Sequence, residues 1–283
     1  MDNIVLAGKI THVPSIWMDL TIEKFRGIRE NAITALRELG DRAHARGAET
    51  FVIFDTHWIV NQGFHVNANP RHEGIFTSPE LPHMLSGMEY AYDGDTELAS
   101  AIAERVNAAG MRAIAHQDAH LSCEYGTLVP MHLMNPEADI RVVSVAANQF
   151  ASIDEGRRMG AAVAEAIAQT GRKTAVLASG SLSHAFWPNE VSEQGLNSVN
   201  GEFNRQIDLR VLELWDAGRW DEFLAMLPAY AKNCAGECGM IDTAMLLGAL
   251  GWDGYTGRGE LIGEYFGSSG TGQCIVDFSL PAA

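Results

Sequence analysis

The sequence predicts an α/β fold: one domain over residues 1–283, with a central, mostly buried mixed β-sheet flanked by helices and the active site at the strand ends. Three observations carry this. Apolar runs of strand length alternate with helix-periodic stretches along the whole chain. No repeat, low-complexity tract or linker-like change of composition divides the 283 residues. Finally, three apolar runs each deliver one histidine as they end: ITHVP gives His12, FVIFDTHW gives His57 and VLASGSLSH gives His184. In open α/β sheets, ligands bind in the crevice beyond the carboxyl ends of the strands.

Taken in order, residues 4–10 read as a first strand leading into His12 and Pro14. Residues 20–47 read as one long helix, with Ile28, Ile33, Leu36 and Leu39 near helical spacing and Gly47 as its stop. Residues 51–55 form the central strand. Residues 63–82, rich in Asn, Pro and His, read as irregular, a type of connection that is usually functional or mobile. A helix over 96–109 and a strand over 111–115 follow, then a second irregular segment over 116–130. The β-branched run 140–147 is a buried strand, 153–170 an Ala-rich helix, and 174–178 the strand that leads to His184. Segments 201–218, 220–226 and 241–250 read as helices. A glycine-rich loop, SSGTGQ, enters a last strand at 274–278.

Composition narrows the function. The chain is 47% apolar and 20% charged, ordinary for a protein that buries a large core. Its formal net charge of −16 makes nucleic acid and anionic membrane surfaces poor partners. No apolar stretch approaches the ~20 residues of a membrane helix, and residues 1–10 do not resemble a secretory signal. Four scattered cysteines suggest no disulfide framework and fit a reducing cytoplasm.

The histidines suggest metal chemistry. Imidazole is the commonest metal ligand, and two histidines with one carboxylate leave positions open for substrate and oxygen on Fe(II). The third ligand is sought in CAGECGMIDT, where Glu237 is preferred and Asp242 competes. Any one of these histidines could instead be a hydrogen-bonded core residue; all three being so is the poorer account. His184 suits proton transfer, because histidine titrates near neutrality, with metal ligation as its alternative. Nucleophilic catalysis by Ser181 or Ser183 lacks the G-x-S-x-G elbow. The spacing of Cys234 and Cys238 is too loose for structural zinc. The segment GSSGTG precedes a strand where a dinucleotide fingerprint would open a helix.

ITHVPS, FDTHW, EYGTLVP, ASGSLSH and GEC…DTAMLLGALGW occur in this order in the class III extradiol ring-cleaving dioxygenases. The chain resembles that family nearly end to end, LPHMLSGMEYAYDG and SSGTGQ included, and most resembles its branch acting on 3,4-dihydroxyphenylacetate (homoprotocatechuate). The resemblance implies non-haem Fe(II), with Mn(II) the other candidate, held by His12, His57 and a glutamate. It implies His184 as the acid/base residue and a catechol-type substrate with O2. The ring would open beside its two hydroxyls, to a semialdehyde, and identical subunits would associate. Tyr125 stands where protocatechuate-cleaving relatives carry a second active-site histidine; it can hydrogen-bond a substrate oxygen but carries protons poorly at neutral pH. Gap-free matching from the next helix points to Asp242 as third ligand and the GE motif to Glu237. Glu237 is preferred, because its longer stem reaches an ion from an irregular segment and Asp242 suits a helix start.

The substrate's carboxylate arm has Lys9, Arg71 and the SSGTG amides as candidate partners, and His65, His72, His116 and His120 form a possible second tier. Three alternatives remain: the same chemistry on protocatechuate, gallate, 2,3-dihydroxyphenylpropionate or an aminophenol, a binding module without metal, and a zinc-dependent hydrolase.

Overall fold

The computed structural model describes residues 3–280; the outermost residues of the 1–283 span lie outside the described residues. In chain order the elements are β1 (Ile4–Ile10), α1 (Pro14–Thr21), α2 (Glu30–Ala45), β2 (Thr50–Asp55), β3 (Phe64–Asn67), β4 (Arg71–Phe76) and β5 (Met88–Asp93). Then come α3 (Thr96–Ala108), β6 (Ala113–His116), α4 (Tyr125–Met134), β7 (Arg141–Ala146), α5 (Ile153–Thr170) and β8 (Thr174–Ser179). The last third holds α6 (Glu202–Asp216), α7 (Trp220–Asn233), α8 (Ile241–Ala249), β9 (Gly259–Leu261), β10 (Phe266–Ser268), β11 (Thr271–Gln273) and β12 (Val276–Phe278).

Eight strands form one mixed sheet in the order β6-β3-β7-β2-β8-β1-β12-β9. Its centre, β7-β2-β8-β1, is parallel; β12 runs antiparallel to both β1 and β9, and β3 antiparallel to β7. Every residue of β2 is buried, as expected of a strand covered on both faces. Side chains alternate across a strand, so Val52 and Phe54 join the core under α3, α5 and α8, while Phe51 and Ile53 join the core under α2 and α4. Two glycines let α5 and α8 touch backbone to backbone. A Cβ on Gly160 would lie 1.8 Å from the Met245 carbonyl, and one on Gly248 would lie 2.1 Å from that of Arg157.

The α/β expectation holds, and β1, β2, β7, α3, α5, β8 and α8 lie within a residue or two of their sequence readings. Four local readings need correction. The segment 20–47, read as one long helix, holds only the end of α1, a 3-10 turn at Glu23–Phe25 and then α2. Asp19 makes the break, accepting hydrogen bonds from the Gly27 and Arg29 amides at 2.9 and 2.5 Å. The segment 63–82 is largely β: β3 joins the main sheet and β4 pairs with β5 as a separate hairpin. Alternation there is masked by glycine and charged residues, since in β4 only His72 and Phe76 are buried. Residues 125–134 form α4 despite Pro130. The loop SSGTGQ is the β10–β11 hairpin, turning at Ser269 and Gly270 with φ of 54° and 102°.

Candidate metal centre and active site

β1, β8 and β2 lie side by side and parallel, so His12, His184 and His57 leave the same edge of the sheet. The rings of His12 and His57 meet edge to face with centroids 4.7 Å apart. Glu237 faces both: its Oε1 lies 3.4 Å from His12 Nε2 and 3.6 Å from His57 Nε2, and its Oε2 lies 3.7 Å from His184 Nε2. His12, His57 and Glu237 each offer one ligand atom, all within 4.8 Å of one another; among the described residues no other His, Cys, Asp and Glu side chains gather in this way.

The surroundings prepare this donor set. Ser179 has one hydroxyl proton and gives it to the Gly126 carbonyl at 2.5 Å. Towards His12 Nδ1, 2.9 Å away, it therefore accepts. His12 thus carries a proton on Nδ1 and turns Nε2 toward the centre, the nitrogen a metal would take. Burial, reinforced by the neighbouring His12, pushes the His57 pKa down to about 3, so this imidazole is neutral. Burial acts to raise the Glu237 pKa, but His184 and then His12 outweigh it and hold the carboxyl well below its usual range. Thr56 Oγ1 and the Ser181 amide donate to its two oxygens. Two imidazoles and one carboxylate, buried and pre-oriented, fit a divalent ion with N/O preference.

The backbone bearing Glu237 is unusual. Ala235, Cys238 and Met240 all have positive φ (48°, 50° and 62°), with Gly239 between them at 63°. Non-glycine residues hold this region only where surrounding contacts impose it, and such strain clusters at functional sites. The two carboxylates here have separate partners. Asp242, in the first turn of α8, is fully buried and pairs with the equally buried Lys9. It faces none of the three histidines, and it is not the helix cap expected from the sequence.

His57 is held by its own strand end. Asp55 accepts from the His57 and Trp58 amides at 2.8 and 3.2 Å, and from Thr127 Oγ1 at 2.7 Å. Gly126 lets α4 approach this carboxylate, since a Cβ there would lie 2.1 Å from Asp55 Oδ1. Tyr125, at the start of α4, lies over His57 with centroids 3.9 Å apart. Burial, then Glu80 and Glu237, raise its pKa, so it remains a neutral phenol.

A cavity of about 320 Å³ opens on this cluster. His12, His57, Tyr125 and His184 form its floor, Val13, Pro14, Leu81, Met84 and Phe186 its apolar walls, and Ser181, Ser268, Ser269, Thr271 and Glu80 its polar groups. Several sequence candidates lie elsewhere. Lys9 is sealed beside Asp242. Arg71 is exposed and pairs with Glu73 and Asp93. His65 and His116 bond to each other at 2.9 Å, His72 faces the Val142 carbonyl, and neither they nor His120 line the cavity. Ser183 is committed to Asp208, and Cys234 and Cys238 are free thiols. The sequence reading missed Asp55, Thr56 and Ser179, though all three sit at or just beyond the ends of recognised strands, where a ligand's supporting groups belong. Glu80, 3.8 Å from His57 Nδ1, gave no sequence signal.

Residues 6–279 match the family described as the catalytic LigB subunit of aromatic ring-opening dioxygenase. The chain is 44% identical over 261 residues to an Escherichia coli 3,4-dihydroxyphenylacetate 2,3-dioxygenase, covering 91% of this chain and 94% of that one. It is 27% identical over 274 residues to the 2-aminophenol 1,6-dioxygenase beta subunit of a Pseudomonas species, covering 92% and 85%. An uncharacterized Escherichia coli K12 protein of known structure, JW3007, shares the fold with a TM-score of 0.62 at 16% identity, covering 88% of this chain and 92% of that one. With a family match spanning the sheet, the histidines and the cavity they floor, the chain belongs to the LigB family of extradiol aromatic ring-opening dioxygenases.

Proposed function

We propose that the chain is a 3,4-dihydroxyphenylacetate 2,3-dioxygenase in which His12, His57 and Glu237 hold Fe(II), with His184 and Tyr125 serving the substrate. The observation that carries this reading is the meeting of two imidazole Nε2 atoms on one oxygen of Glu237, at the floor of a cavity sized for a single aromatic ring. The substrate follows the Escherichia coli relative, whose name specifies it. Bound at this triad, Fe(II) supplies Lewis acidity toward the two catechol oxygens and a path for electrons to O2.

The chain's own groups do the rest. His184, lining the cavity across Glu237 from the two histidines, takes a proton from a ring hydroxyl and returns it as the ring opens, assistance typically worth ~10²–10⁴-fold. The Tyr125 phenol donates a hydrogen bond to a substrate oxygen. Val13, Pro14 and Phe186 exclude water from the ring, and Ser268, Ser269 and Thr271 offer hydroxyls to the carboxylate arm at the cavity wall. Residues 1–283 act as one catalytic domain, and identical subunits associate. No helix among the described residues is long and apolar enough to cross a membrane, and four free thiols fit a reducing cytoplasm.

The test is anaerobic reconstitution with Fe(II), Mn(II) or Zn(II), followed by oxygen uptake and ring-fission absorbance with 3,4-dihydroxyphenylacetate, protocatechuate and 2-aminophenol. The expected result is oxygen uptake and yellow product with Fe(II) and the first substrate. Preference for another substrate would reassign the cavity, and tightly held zinc with no oxygen uptake under any condition would overturn the reading.

A further inference from the structure

One fully buried acid away from the cavity has no part in the chemistry above. Asp208, on α6, has no cationic partner among the described residues. Four neutral donors converge on it instead, two per oxygen. Ser183 N and the Tyr230 hydroxyl reach Oδ1 at 3.2 and 2.7 Å; Ser183 Oγ and the Tyr265 hydroxyl reach Oδ2 at 2.6 and 2.5 Å. An ionised carboxylate only accepts, at about four lone-pair positions, so every position is filled.

Two of those four bonds come from Ser183, the residue before His184. The rest of the Leu182–His184 segment is held by backbone bonds. Leu182 N donates to Gly272 O and Gly272 N to Ser183 O, both at 2.8 Å, and His184 N donates to Cys234 O at 3.3 Å. The Glu237 amide donates to Leu182 O at 3.2 Å. One short segment therefore carries His184 and anchors the residue bearing the acid that faces it. β11 crosses Asp208 so closely that a Cβ on Gly272 would lie 1.9 Å from Oδ2. The carboxylate thus ties this segment to α6, to α7 through Tyr230, and to the approach to β10 through Tyr265.

We propose that Asp208 is a positioning residue, which through Ser183 fixes where the His184 imidazole stands over the substrate. This rests on His184 as the proton carrier. A misplacement of about 1 Å can cost ~10²-fold in rate, and neither Ser183 nor Asp208 lines the cavity. Their loss should therefore appear in kcat with KM nearly unchanged.

The experiment compares Ser183→Ala, Asp208→Asn, His184→Phe and the double variant Ser183→Ala/His184→Phe, each Fe(II)-replete, for kcat, KM and iron content with 3,4-dihydroxyphenylacetate. Ser183→Ala keeps the backbone bond to Asp208, so it serves if Asp208→Asn does not fold. The expected result is kcat lower by ~10-fold in Ser183→Ala and by ~10²-fold in Asp208→Asn, with iron content and KM close to wild type. In the His184→Phe background, Ser183→Ala should cost nothing further, because interacting residues are non-additive. An unchanged kcat in Ser183→Ala, or an equal loss with and without His184, overturns the proposal while leaving the proton-carrier reading in place. Full turnover in iron-replete His184→Phe overturns that reading, and the proposal with it.

Discussion

The three histidines and the acid facing them come together by opposite routes. His12, His57 and His184 follow adjacent parallel strands, and the sheet alone brings them together. Glu237 arrives on a run of left-handed residues between α7 and α8, held in place by Thr56, the Ser181 amide and the Leu182 carbonyl. A regular scaffold can place imidazoles by topology, whereas the carboxylate needs a strained turn locked by its neighbours. The contrast sharpens five residues on. Asp242, on the regular turn of α8, spends its charge on Lys9, and there burial raises its pKa while Lys9 opposes the shift. Glu237 is equally buried but held well below its usual range by histidines.

The largest expected effect separates these two acids. Glu237→Gln should lose the metal and turnover with it, while Asp242→Asn should bind metal at wild-type stoichiometry. The latter variant should instead lose stability by ~3–5 kcal/mol, because Lys9 is left buried without its counter-charge. Metal content and urea unfolding distinguish the two, and metal loss in Asp242→Asn alone would reverse their roles. Next in size is Ser179→Ala, which frees the His12 tautomer and should weaken metal affinity by ~10–100-fold, as read by chelator competition. Gly126→Ala tests the packing behind His57. The clash with Asp55 should cost ~1–3 kcal/mol in thermal or denaturant unfolding. The smallest effect is expected of Arg71→Ala, whose ion pairs with Glu73 and Asp93 are exposed to solvent and screened. It should leave KM for 3,4-dihydroxyphenylacetate unchanged, and a large rise would return Arg71 to the substrate's carboxylate.

Much of the fold was legible because buried parallel strands are continuous apolar runs: FVIFD, VVSVA and TAVLA announce β2, β7 and β8 without ambiguity. The histidines were legible for the same reason, standing where those runs stop. The β4–β5 hairpin was not, because its exposed face carries Arg71, Glu73 and Gly74, which read as loop. Helix α4 was hidden by EYGTLVP, whose glycine and proline usually break helices, yet Gly126 is there to meet Asp55. The choice between Glu237 and Asp242 could be argued only from local motifs, stem length and helix-start preference, since the partner that occupies Asp242 is Lys9, 233 residues away. Asp208 left no local trace, because its four donors come from three separate parts of the chain.

Anomalous diffraction at the iron edge, from crystals reconstituted anaerobically with Fe(II), addresses the centre itself. The account predicts one full-occupancy iron bonded to Nε2 of His12, Nε2 of His57 and a carboxylate oxygen of Glu237, with Asp242 still on Lys9. An iron bound by Asp242, or one that leaves either histidine outside its coordination sphere, would contradict it.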